Sequence, residues 1–194
     1  MSLTMKDSGN GDFELVPAGT HLGICYLVAD IGRQETNFGV KEKVVIAWEL
    51  PTEIMHDGRP FGVSKMYTAS LNEKANLRGD LESWRSKRFT DAELAGFSLT
   101  NILGKPCLLT VVHNAKGDRT YANIASVTAV PKGMPVPERV NPLVSYDMDS
   151  SSQADYEKLP EWIRKKVDAA IIGNHAGAYD GRQAEPEFDQ DVPF

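Results

Sequence analysis

The feature that most limits the fold is a change of hydrophobic period near Asn72. Ahead of it, residues 20–30 (THLGICYLVAD) and 43–50 (KVVIAWEL) carry the β-branched and aromatic content of strands. A third strand, residues 61–70, alternates so that Phe61, Val63, Lys65 and Tyr67 point one way and Gly62, Ser64, Met66 and Thr68 the other. Beyond it, NEKANLRGDLESWRSK sets Leu77, Leu81 and Trp84 at helical spacing, with Asn72 as candidate cap. Thr90 and Glu93 form a capping box before TDAELAG. Strand pattern then returns in residues 105–113 (KPCLLTVVH) and 120–130 (TYANIASVTAV), joined by an AKGD turn.

Three strands, a helical excursion and two more strands make a mainly β chain. Several small barrels have five strands. A helical insertion of this size between strands 3 and 4 favours the OB-fold, a five-stranded Greek-key barrel, here over residues 13–131. GRQETNFGVKE reads as a hairpin loop and PTEIMHDGRP as a turn-rich connector. Residues 1–12 read as a disordered N-terminus. Residues 132–157 read as a linker, first Pro-rich and then acidic. Residues 158–173 form an amphipathic helix: Pro160 suits its first turn, and Ile163, Val167 and Ile171 are spaced by four, with Trp162 and Ala170 alongside. That stripe docks on the barrel or on a neighbouring subunit. Residues 174–194 read as a disordered acidic tail.

Charge is unevenly placed. Residues 1–140 hold 16 Lys/Arg and 16 Asp/Glu, whereas residues 141–194 hold 5 against 11, which accounts for the whole net charge of −6. A neutral body can still present a basic face, so nucleic acid is not excluded as a ligand. Cys25 and Cys107 lie in apolar runs and read as small buried hydrophobes in a reducing cytoplasm; nothing in their spacing requires a disulfide. No signal peptide or apolar run of membrane-span length is present, so the expected location is cytoplasmic, without membrane contact.

No phosphate loop, nucleophile elbow or zincin motif occurs, and the four histidines and two cysteines show no zinc spacing. Residues 147–158 begin like a calcium loop but lack the sixth-position glycine and have Lys158 in place of the bidentate glutamate. The expectation is a non-enzyme without metal or cofactor. A hidden nuclease would draw on scattered acids such as Asp30, Glu49 and Asp57, which form no recognisable cluster.

A single-strand binder needs cations for phosphates and aromatic faces for bases. On an OB-fold the usual surface is the face of strands 2 and 3 with its adjoining loops. That region supplies Arg33, Phe38, Lys41, Lys43, Trp48, Arg59, Phe61, Lys65 and Tyr67, and the turn between the last two strands adds Lys116, Arg119 and Tyr121. Trp48, in the most apolar strand, reads more readily as core than as a stacking platform. Phe61 and Tyr67 share their face with Lys65 and are expected to be reachable by solvent. Phe38, in a polar loop, has little reason to be aromatic if it faces only water.

The chain end, FDQDVPF, resembles the C-terminal tip of bacterial single-stranded DNA-binding proteins through Asp189, Asp191, Val192, Pro193 and Phe194, although Phe188 and Gln190 interrupt its acidic run. With GMPVPERVNPLV and LPEWIRKKV, the body is similar to phage-encoded single-stranded DNA-binding proteins. The resemblance implies sequence-independent binding and protection of single-stranded DNA in replication and recombination, in the host cytoplasm. The tip would recruit replication, recombination or repair proteins: Phe194 would fill a pocket and its carboxylate would pair with a cation. It leaves oligomeric state open, with a homo-oligomer possible. Two rivals are an OB-fold adaptor that binds only proteins and a strand-annealing recombination protein.

Overall fold

The computed structural model describes residues 14–171. Its framework is one long bent strand, β1 (Gly19–Thr36), which pairs with three of the other five strands and joins the two halves of the sheet. Residues 24–36 of β1 pair antiparallel with β2 (Gly39–Ile54), which pairs with β3 (Pro60–Thr68). Residues 19–24 pair with β4 (Pro106–Lys116), which continues into β5 (Arg119–Thr128). The path is therefore β3-β2-β1-β4-β5. Register shifts at Cys25/Leu27 and Asp30/Arg33 mark where β1 bends. At the second, Gly32 takes a positive φ of 67° and its N–H bonds Asp30 Oδ1 at 2.8 Å; a Cβ there would collide with the Met148 sulfur.

The five expected strands and the helical segment between the third and fourth are present, but the barrel is not closed. β3 and β5, the ends of the path, approach each other without forming a ladder. The segment between β3 and β4 comprises α1 (Asn76–Arg85), α2 (Asp91–Leu94) and a 3-10 turn at Leu99–Ile102. Helix α1 packs on both open edges and turns Leu77, Leu81 and Trp84 into the cluster that holds Trp48, Phe61, Val63, Leu109 and Ile124. Its N-cap is Ala75 rather than Asn72, with no side-chain cap; Asn72 instead contributes its carbonyl to a turn with the Ala75 N–H. The Thr90–Glu93 capping box forms as its spacing predicts.

The stretch read as a linker is bound to the sheet. Glu49, fully buried on β2, accepts hydrogen bonds from the backbone N–H groups of Val140 (2.6 Å) and Asn141 (2.7 Å) and from Asn141 Nδ2 (2.6 Å). A sixth strand, β6 (Val144–Tyr146), then pairs in parallel with Leu27–Ala29, on the part of the β1 edge that β4 leaves open. Helices α3 (Gln153–Glu157) and α4 (Glu161–Asp168) follow. Leu159, Ile163 and Val167 are buried in a second cluster with Leu27, Ala29, Ile31, Val45, Ala47 and Met66, which form the outer face of β1-β2-β3. Leu159, Ile163 and Val167 each contribute about 1.5–3 kcal/mol by leaving water. Of the expected stripe, Ile171 stays 40% exposed. The helix thus docks on its own sheet. No helix among the described residues is long and apolar enough to cross a membrane.

Candidate nucleic-acid interface

Backbone pairing carries β1 and β2 well into the stretch that reads as a loop. Arg33 pairs with Glu42, Gln34 with Lys41 and Glu35 with Val40, leaving Asn37 and Phe38 as a two-residue turn. Thr36 closes that turn: its hydroxyl donates to the Gly39 carbonyl (2.7 Å) and accepts from the Phe38 N–H (3.2 Å). The result is a projecting arm with Phe38 at its tip, 59% exposed, the largest exposure among the aromatics of the described residues. Arg33 and Lys41 are half-buried on its strands.

At the other end of β1, the β4–β5 hairpin runs past Gly19, whose partner is Val111, and turns at Gly117-Asp118. Lys116 and Arg119 face each other across this tip and are exposed; Tyr121, paired with Asn114, is half-buried. Arg59, exposed beside Gly58, forms a 2.5 Å ion pair with Asp57. Exposed cations therefore project from two turns, and half-buried ones flank the third.

The sheet face itself departs from expectation. Trp48 is fully buried, its ring centroid 5.8 Å from that of Trp84, and its Nε1 has no hydrogen-bond partner among the described residues. Phe61 and Tyr67 are also interior. Their face carries Lys65, as the alternation requires, but α1 covers that face. Asp80 of α1 accepts from both Lys65 Nζ (2.8 Å) and the Tyr67 hydroxyl (2.7 Å), so a cation sits at a core margin with its charge balanced. Burial and the neighbouring Asp80 carboxylate push the Tyr67 phenol well above its ordinary pKa. Lys43 lies on the opposite, outer face, 2% exposed, and donates to Thr68 Oγ1 at 3.1 Å. Trp48, Phe61, Tyr67 and Lys43 are thus removed from the surface, the first three by the core and the last by burial on the outer face.

What the sequence did not single out is Glu49 as a latch, or the outer face as the seat of the C-terminal segment. Of the other acids, Asp57 holds Arg59 and Asp30 braces the β1 bulge. Arg85, Lys87 and Arg88 lie where α1 ends; Arg85 pairs with Glu93 and stacks on Phe89, 4.5 Å from its centroid. The groups at the chain end, Asp189, Asp191, Val192, Pro193 and Phe194, lie outside the described residues. Among the described residues no group of three or more His, Cys, Asp or Glu is placed to hold a metal. Comparison with protein-family models and with curated proteins finds no match for this chain.

Proposed function

We propose that this protein binds single-stranded DNA without sequence preference, through cation-bearing hairpin turns on an OB-type sheet left open between β3 and β5. The observation that carries the reading is Phe38: an exposed aromatic at the tip of a stiff arm, with Arg33 and Lys41 on the strands beneath it. Base stacking on such a ring supplies about 1–3 kcal/mol per base, and lysines and arginines neutralise the phosphates around it. The strand order and the helix across the open edges support the same reading, as does the resemblance of the chain end to a partner-recruiting tip. The outer face of β1-β2-β3 is not part of the surface, because the chain's own C-terminal segment covers it. Contact is assigned to the turns instead.

A second reading, an adaptor that binds only proteins, is favoured by the apolar groups exposed along the Pro-rich segment: Met134, Val136, Val140 and Leu143. Titration of a labelled oligo-dT, followed by anisotropy at two salt concentrations, separates the two. Anisotropy of the labelled DNA reads binding directly, whereas two of the three tryptophans, Trp48 and Trp84, are buried and only Trp162 of α4 is half-exposed. Binding that weakens with salt, and that strengthens when residues 186–194 are deleted, is expected. No binding by either form would overturn the reading in favour of the adaptor.

A further inference from the structure

The β1–β2 arm and the end of α4 are tied together by residues 132 positions apart in sequence. Gln34, buried in the arm, donates from Nε2 to the Lys166 carbonyl (2.9 Å) and to the Ile31 carbonyl (2.7 Å). The Ile171 N–H bonds the Arg33 carbonyl at 2.8 Å. Lys41 is the cross-strand partner of Gln34 and so lies on the face of the arm that meets α4. Among the described residues neither Lys41 nor Lys166 has an acidic partner within 4 Å, although both are half-buried and so restrained. The acids of α4 are engaged elsewhere: Glu161 with Lys165 (2.8 Å) and Asp168 with the Tyr156 hydroxyl (2.7 Å). Glu35 and Glu42 alternate onto the other face of the arm, Glu42 opposite Arg33.

Resting on single-strand binding as the function, we propose that α4 is part of the binding site. Lys166 and Lys41 form a composite site that contacts two successive phosphates, its halves joined by the Gln34 bond to the Lys166 carbonyl, beneath the base stacked on Phe38. The segment that closes the sheet face thereby returns a cationic surface at its edge. Lysines in the last turn also suit the negative end of the helix dipole, so Lys166 stands there at no cost to α4.

The test uses the full chain and labelled oligo-dT over a salt series, with K41A/K166A, K41R/K166R and K116A/R119A. For single strands each phosphate contact contributes about 0.7 to the slope of log affinity on log salt. K41A/K166A is expected to flatten that slope by about 1.4, the two-contact value, with an unchanged melting temperature, while K41R/K166R keeps it. A wild-type slope for K41A/K166A beside a flattened one for K116A/R119A would overturn the role of α4 and leave single-strand binding standing. No binding by the wild type would overturn both.

Discussion

Asp80 serves two groups on β3 at once, and this is why a lysine and a tyrosine can sit at the edge of an apolar core. Replacing it by alanine leaves the buried Tyr67 hydroxyl and the Lys65 ammonium without that acceptor. Asp80→Ala is expected to lower stability by about 1–3 kcal/mol, the cost of an unsatisfied buried polar group, read from denaturant unfolding. Asp30 works the other way. Its own burial, and then the carboxylates of Asp147, Asp149 and Glu42, raise its pKa above the ordinary value, so its charge opposes docking of the segment that brings Asp147 and Asp149 close. A raised carboxyl pKa favours the native state below the unfolded-state value, and that advantage is lost as pH rises through the folded-state value. Asp30→Asn keeps an acceptor for the Gly32 N–H and is expected to be more stable than wild type at pH 7. Thermal melts should show the difference shrinking as pH falls through the raised Asp30 pKa and vanishing below the unfolded-state value. These residues also show why the candidate surface was only partly readable. Alternation assigned Lys65, Phe61 and Tyr67 to one face correctly, but the acid that neutralises Lys65 comes from a helix whose seat only the tertiary fold determines. Phe38 was readable because no periodic segment claims it.

Among the elements, Glu49 acts as the latch of the C-terminal segment. Glutamine at this position keeps one acceptor oxygen and sets its NH2 against the donor or donors of the other, so Glu49→Gln is expected to free residues 140–146. Hydrogen exchange should rise first at Val140 and Asn141, with about 1.5–3 kcal/mol lost, the value of hydrogen bonds to a charged acceptor. An exchange pattern identical to wild type would show that β6 and α4 hold the segment unaided. The strands, the capping box and the AKGD turn were legible because period and turn chemistry are local properties. The segment from Pro131 to Asn141 was not, because part of its backbone bonding goes to a carboxylate some 90 positions away and prolines mimic a free linker. A three-residue strand such as β6 has too few residues to show a period at all. The loop between β1 and β2 was overestimated for a related reason: GRQET and GVKE are polar enough to read as coil, yet their pairing is backbone to backbone and indifferent to side-chain polarity.

At the scale of the molecule, the body does not end at residue 131. Cutting the chain there would bare Leu27, Ala29, Ile31, Val45, Ala47 and Met66 together, an apolar face on a sheet that also regains the open edge at Leu27–Ala29. The truncated protein is expected to elute from size exclusion as aggregate, whereas a chain ending at residue 171 should elute as a discrete folded species; a soluble, folded product of the shorter cut would refute the structural role given to α4. The same arrangement sets an order of events during synthesis. The strands that carry the outer face are made first, up to Thr68, and the residues that cover it, from Val144 to Val167, follow only after the intervening stretch. At ribosomal rates of about 5–20 residues per second, the face waits on the order of ten seconds for its cover. Through that interval the nascent chain carries a bare apolar face, the kind of surface by which unfinished chains adhere to one another.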